Sequence, residues 1–149
     1  MPAVKKVLVL GTGLCSIVRI MHAKGFDPDF TLVEYDEQIL QLAVKYLSMD
    51  FPAKINPVCA DAMIFMEKNT ARYDLVFIDI FIGRIVPDFV TTSAFLERCR
   101  ESLAPNGRLA FNYIINDTQK WEQARLNFSE IFPGHKIIDH DINRIFITG

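Results

Sequence analysis

Cysteine is scarce in this chain: 149 residues hold three, Cys15, Cys59 and Cys99. An odd, widely spaced set with no CxxC or Cys/His grouping offers neither a disulfide framework nor a zinc site. A reduced, cytoplasmic compartment is the expectation. Long apolar runs are also missing, and none approaches the roughly 20 residues of a membrane span. Excess positive charge is absent too. Sixteen Lys and Arg stand against 18 Asp and Glu, for a formal net charge of −2, and no basic cluster exceeds Lys5-Lys6. A nucleic-acid partner is therefore not expected. Lys5-Lys6, Val7 to Leu10 and then Cys15 have the outline of a lipoprotein signal. Leu14 occupies the place where cleavage needs a small residue, and Gly11 to Gly13 cut the apolar run short, so no such leader is expected.

What is present is ordinary globular composition, half apolar and about a quarter charged. The length suits one domain over residues 1–149, without internal repeats, low-complexity tracts or linkers. Strand-like and helix-like segments alternate. Val4–Leu10 reads as a buried strand ending in Gly11-Thr12-Gly13. A helix follows over Leu14–Ala23, with Leu14, Ile17, Val18 and Met21 on one face. Phe30–Val33 is a second strand, and Asp36 caps a helix striped by Ile39, Ala43, Tyr46 and Leu47. Ile55–Cys59 is a third strand, followed by a helix opened by Asp61 that carries Ile64, Phe65 and Met66. Tyr73–Ile78 is a fourth strand. Phe95, Leu96, Cys99 and Leu103 mark a helix stopped by Ala104-Pro105-Asn106-Gly107. Arg108–Tyr113 is strand five, and Trp121, Ala124, Phe128 and Ile131 stripe a last helix. Lys136–Asp139 and Arg144–Ile147 close the chain around Asp141-Ile142-Asn143.

Alternating strands and helices imply a doubly wound α/β fold, with a mostly parallel seven-stranded sheet covered on both faces. The last two strands have no room for a helix between them and must form an antiparallel C-terminal hairpin at a sheet edge.

Open sheets of this kind bind ligands beyond the carboxyl ends of their strands. Four successive strands carry unusual residues there. Strand one ends in Gly11-Thr12-Gly13, where missing Cβ atoms permit a tight turn and a close ligand approach; a turn with no ligand is the plain alternative. Strand two ends in Glu34, 21 residues beyond Gly13, a spacing that suits a carboxylate on ribose hydroxyls as well as a solvated charge. Tyr35 beside it can lie under an adenine ring or simply pack on the surface. Strand three leads to Asp61, either a helix N-cap, an acceptor for an adenine amino group, or both. Strand four ends in Asp79 after an apolar run, where a carboxylate is costly unless partnered. Asp79 can attract a cation or accept a proton from an attacking nucleophile; bonding to loop amides is the structural alternative. His22 and His135 read as structural or solvated. Asp139-His140-Asp141 is not read as a metal site, because alternate strand residues face opposite ways. Cys15 and Cys59 read as small buried filler near the pocket.

With these residues in place, the chain resembles the class I S-adenosylmethionine-dependent methyltransferases, Rossmann-like in fold, and within them the spermidine synthase-like branch. Val7 to Gly13 looks like the family's first motif. Leu32-Val33-Glu34-Tyr35-Asp36 is similar to "VEID", whose glutamate holds the ribose. Ala60-Asp61-Ala62 with Phe65-Met66 is similar to "GDAxxFL", whose aspartate reads adenine. Tyr73 to Asp79 matches "YDxIxxD", whose final aspartate is the family's proposed base, and Leu103 to Leu109 matches "LxPxGxL". The resemblance implies S-adenosylmethionine or its decarboxylated form as cofactor, with no metal. It implies Gly11, Thr12, Gly13, Glu34, Tyr35, Asp61, Ala62 and Asp79 as donor-binding residues and Asp79 as the catalytic one.

Departures from the family pattern shape the expected activity. Spermidine synthases carry an N-terminal β domain that helps bind the polyamine, and this chain begins almost at strand one. Their second acid, three residues after the first, is Ile82 here. A related synthase-like pattern has an acid where Arg84 stands; a cation there disfavours a polyamine, although a solvated loop charge is as good a reading. Phe81, Ile82, Ile85, Val86 and Phe89 make this loop strongly apolar, a lid, an acceptor wall or a homodimer contact. The expectation is a methyltransferase acting on a small-molecule acceptor. Aminopropyl transfer from the decarboxylated donor comes second. A non-catalytic nucleoside-binding or scaffolding module is the rival of a different class. A nicotinamide dehydrogenase is disfavoured by Ser16, where a third glycine belongs, and by the closing hairpin.

Overall fold

A computed structural model describes residues 4–50 and 54–149. Residues 1–3 and 51–53, which the expected single domain includes, lie outside the described residues. Seven strands form one sheet: β1 Lys6–Leu10, β2 Asp29–Glu34, β3 Ile55–Cys59, β4 Tyr73–Ile78, β5 Leu103–Ile114, β6 Lys136–His140 and β7 Asn143–Ile147. Their order is β3-β2-β1-β4-β5-β7-β6. The first five run parallel, and β7 is antiparallel to both β5 and β6. This is the expected doubly wound sheet with its closing hairpin. β7 slots between β5 and β6, so β6 forms the edge.

β1 shows why the sheet is covered on both faces. Val7, Leu8, Val9 and Leu10 are all buried. Val7 and Val9 join one core with Leu32, α1 (Ser16–Ala23) and α2 (Glu37–Asp50). Leu8 and Leu10 join the other, with α3 (Ala62–Lys68), α4 (Ser93–Glu101) and α5 (Thr118–Ile131). Alternation along one strand thus divides the helices between two layers.

Several local expectations shift. α1 starts at Ser16, because Cys15 takes a left-handed conformation (φ 55°) at its N-cap. Leu14 therefore stays outside the helix and is exposed, while Val18 and Met21 carry the buried face. On α2 the buried stripe is Leu40, Ala43 and Leu47, with Ile39 and Tyr46 exposed; a capping Asp36 fixes the helix start through the amides of Gln38 and Ile39. On α3 it is Ala62 and Met66 that are buried and Ile64 that is exposed. The apolar loop also holds a short 3-10 turn, Asp88–Thr91, which no periodicity in its sequence marks.

Strand five begins earlier than its apolar run. Leu103 pairs with Tyr73, and the ladder then resumes at Arg108 opposite Leu75. Residues 104–107 are looped out, with Asn106 left-handed (φ 63°). Gly107 is needed in that bulge, since a Cβ would lie 2.8 Å from the Tyr73 carbonyl oxygen and 2.9 Å from that of Ala104. Leu103 thus belongs to the strand rather than to the preceding helix. At the far end of the sheet the amides of Lys5 and Lys6 donate to Asp74 Oδ2 at 2.7 and 2.9 Å. That ties the start of β4 to the start of β1 and explains the single acid in an apolar strand.

The α5 layer is an aromatic cluster. Phe128 lies 4.3 Å from Phe146 and 4.8 Å from Phe132, ring centre to ring centre, and Phe111 stacks on Phe146 at 5.5 Å. His135 packs in the same cluster and faces the Phe132 carbonyl through Nδ1, a structural role. Asp139 is tied to Arg144 at 3.0 Å. Phe128 is fully buried, so Phe128→Ala should cost about 3–5 kcal/mol. A thermal melt should show Tm lower by on the order of 10 °C; a shift under about 2 °C would contradict this packing.

Candidate functional site

The chain runs from β1 outward through β2 and β3, then crosses back to place β4 on the other flank of β1. That reversal is the topological switch point, where an open sheet leaves a crevice at its carboxyl edge. The first four strands therefore end side by side in the order β3, β2, β1, β4.

The turn after β1 is built by close backbone approach. Asp79 N–H donates to the Leu10 carbonyl at 2.8 Å, and Gly11 N–H donates to that of Val33 at 2.9 Å. A Cβ on Gly11 would lie 2.4 Å from the Asp79 carbonyl oxygen, and Gly11 has φ +84°. Both the space and the conformation require glycine. Gly13 (φ +46°) is different: a Cβ there would meet nothing within 4 Å, so its main chain is open to approach. Cys15 N–H closes the turn on the Thr12 carbonyl at 2.7 Å.

Glu34 is bound to this turn. Its Oε2 accepts from the Thr12 amide at 3.0 Å and the Thr12 hydroxyl at 3.2 Å, and Oε1 accepts from the Asp36 amide at 3.2 Å. Thr12 is 5% exposed and so faces inward, onto Glu34. A carboxylate offers about four acceptor sites; the described bonds leave capacity on Oε1.

The β3 end is joined to the β2 end by the bond from Ala60 N–H to the Glu34 carbonyl at 3.0 Å. Asp61 is an N-cap, its Oδ1 accepting from the amides of Met63 at 2.8 Å and Ile64 at 3.3 Å. Those bonds do not engage Oδ2 or the Ala62 N–H. The Ala62 side chain packs in the core, so only its backbone is available to a ligand. Tyr35 is 77% exposed. Cys59, expected as buried filler, is exposed, and its Sγ lies 3.8 Å from the Tyr35 carbonyl oxygen. It sits at the end of β3, the strand at the sheet's edge. Cys15 is buried as expected, and burial pushes its thiol up to about 11. Cys99 is buried and its thiol is raised further for the same reason.

Asp79 is exposed and has a partner the sequence reading missed. Asn112 Nδ2 donates to Asp79 Oδ1 at 3.0 Å. Asn112 lies on β5, the strand beside β4, opposite Ile145 of β7. Its only signal in sequence is an amide amid Leu109-Ala110-Phe111 and Tyr113, with no motif around it. Beyond Asp79, Ile82 and Ile85 exchange backbone bonds at 2.9 and 3.1 Å in a tight hairpin. Both isoleucines are exposed. Asn116 Nδ2 anchors the hairpin by donating to the Arg84 carbonyl at 2.7 Å.

A separate cavity of about 280 Å³ lies between the loop after β4 and α5, lined by Asp88, Tyr113, Lys120 and Asn127 among others. Its polar groups are largely paired with one another: Lys120 with Asp88 at 2.7 Å, and Asn127 Nδ2 with the Thr91 carbonyl at 2.9 Å. Burial raises the Tyr113 phenol. No helix among the described residues is long and apolar enough to cross a membrane.

No protein-family model matches the chain. Among curated proteins it is 26% identical over 154 aligned positions to an eEF1A lysine and N-terminal methyltransferase homolog of Drosophila melanogaster, covering 95% of this chain and 23% of that protein. It is 20% identical to a polyamine aminopropyltransferase of Vibrio vulnificus, covering 99% of this chain and 51% of that protein. The chain thus spans about a quarter to a half of the length of these relatives. Among solved structures, human methyltransferase-like protein 13 in complex with SAH superposes with a TM-score of 0.83 at 18% identity, over 97% of this chain and 71% of that one.

Two outcomes follow from this geometry. Gly11→Ala should destabilise the fold by roughly 2–4 kcal/mol, left-handed strain adding to a backbone clash; denaturant melts that match wild type would refute the close approach. Native iodoacetamide labelling at pH 8 should modify Cys59 and spare Cys15 and Cys99, as read by peptide mass spectrometry. The raised Cys15 thiol adds stability that is fully present below its unfolded value of about 8.5, and this is lost as pH rises through about 11.

Proposed function

We propose that this chain, which is spermidine synthase-like and has the class I methyltransferase fold, is an S-adenosylmethionine-dependent methyltransferase acting on a small-molecule acceptor. The observation that carries the reading is the seat of the glycine turn between two acids: Thr12 bonds Glu34 on one side, and Gly11 rests on the Asp79 main chain on the other. The strand ends fit a nucleoside donor. The Gly13 main chain is open, Glu34 Oε1 retains acceptor capacity for a ribose hydroxyl, and the Asp61 carboxylate and Ala62 amide stand at the next strand end. When bound, S-adenosylmethionine supplies an electrophilic carbon on a sulfonium.

The protein's own part is to hold, orient and accept a proton. Glu34 and the glycine turn hold the adenosine portion, and Tyr35 offers an apolar face to the base. Asp79 faces the reacting end as an anion, drawing in positive charge and taking the proton a nucleophile releases. Positioning of two reactants supplies much of the rate. The exposed Ile82 and Ile85 of the anchored hairpin form an apolar acceptor wall, with Arg84 at its tip. A cation there repels a polyamine, which favours methyl over aminopropyl transfer. The aminopropyltransferase relatives support the second reading, in which the decarboxylated donor is used. Three free cysteines suit a reducing, cytoplasmic setting.

Thermal melts and titration calorimetry with S-adenosylmethionine, its demethylated product and the decarboxylated donor test this. At a hundredfold excess over Kd the right ligand should stabilise by about 2.7 kcal/mol, a rise in Tm of roughly 5–10 °C. Glu34→Gln should weaken donor binding about ten- to a hundredfold. Asp79→Asn should lose turnover. No stabilisation by any of the three compounds would sink the proposal, and binding without turnover across amines, acids and phenols would favour a non-catalytic module.

A further inference from the structure

Asp79 is held from two directions. Its main chain is clamped by the β1 end, through the bond to Leu10 and the close contact with Gly11. Its side chain is held by a neutral donor, the Asn112 amide, at 3.0 Å. A neutral donor fixes a carboxylate while leaving its negative charge uncompensated; a guanidinium or ammonium would fix it and cancel the charge.

The second observation concerns the other end of the same amide. Asn112 Oδ1 is buried and, among the described residues, has no hydrogen-bond partner. A buried acceptor without a donor is destabilising. Turning the amide over would not relieve this, because Oδ1 would then face the Asp79 carboxylate oxygen, acceptor against acceptor. The amide is therefore locked in a costly orientation by its bond to Asp79. On a strand, at a half-buried position opposite Ile145, a β-branched apolar residue would fit without that cost. Residues that lower stability at one point of a fold are characteristic of sites shaped for activity.

We propose that Asn112 is a positioning residue for the transfer step, fixing the rotamer of the Asp79 carboxylate by holding Oδ1 and so leaving Oδ2 as the oxygen presented to the acceptor. This rests on the methyltransferase reading above. In that step the acceptor's lone pair forms the new bond to carbon. The carbon–sulfur bond breaks, its electron pair stays on sulfur, and the proton released by the acceptor goes to Asp79 Oδ2. Asn112 touches neither donor nor acceptor and acts only through Asp79.

The test compares wild type, Asn112→Val and Asp79→Asn in the full chain, with S-adenosylmethionine and a panel of putrescine, small phenols and small carboxylic acids. S-adenosylhomocysteine is read by mass spectrometry, and Tm and donor affinity are measured alongside. N112V should lower kcat about ten- to a hundredfold, leave KM and donor Kd within about twofold, and leave Tm unchanged or raised. A merely structural role predicts the reverse, a lower Tm with kcat intact, and that result overturns the assignment. Turnover lost in D79N but unchanged in N112V also overturns it, with the methyltransferase reading left standing. Absence of turnover in the wild-type chain would refute both together.

Discussion

The contact between the end of β1 and the end of β4 governs the rest of the molecule's carboxyl edge. Gly11 lies so near the Asp79 carbonyl that a single methyl would collide with it, and the Asp79 amide continues the ladder onto Leu10. Both strands are closed tightly at the point where the chain order reverses. From that closure the glycine turn must leave at a left-handed angle, α1 must start late, and Asp79 must emerge at the edge of the crevice. Hydrogen bonding and steric exclusion act together here: the backbone bonds set the distance, and the missing Cβ makes it attainable.

Around this point, polar groups are arranged by short-range bonds that serve the fold first. Glu34 satisfies Thr12 and Asp36, and Asp61 satisfies two helix amides. Each carboxylate is thereby pinned in a single direction without a cationic partner in those bonds. That combination gives the carboxyl edge a fixed pattern of negative charge, the electrostatic character that the proposed sulfonium donor would meet. Asp79 and Asn112 differ from the other pairs in that the bond leaves a buried acceptor unmet among the described residues. Local stability does not explain it, which is why the pair stands out.

Much of the fold was legible in the sequence because its signals are local. Val7 to Leu10 is continuously apolar, as a strand buried on both faces must be, Pro133-Gly134 stops the last helix, and Asp141-Ile142-Asn143 marks the turn of the closing hairpin. Trp121, Ala124, Phe128 and Ile131 stripe α5 at helical spacing, and the aromatic cluster bears this out. The sequence is silent where a side chain's fate depends on a neighbouring element. Ile39 and Tyr46 repeat at helical spacing as well as Leu40 does, and only the docking angle of α2 chooses the buried stripe. Cys59 is apolar enough for a core, but the outer strand leaves it uncovered.

The sequence by itself determined the alternation of strands and helices, the glycine at the first turn and an acid at or just beyond each of the next three strand ends, because these follow from periodicity, conformational permissiveness and residue chemistry within a few positions. Tertiary structure alone decided that Thr12 would seize Glu34, that Gly11 would press on Asp79, and that Asn112 would reach Asp79 across 33 residues of chain. Those contacts join strands adjacent in the sheet but distant in sequence. Their geometry is fixed by register and twist, which no local pattern encodes.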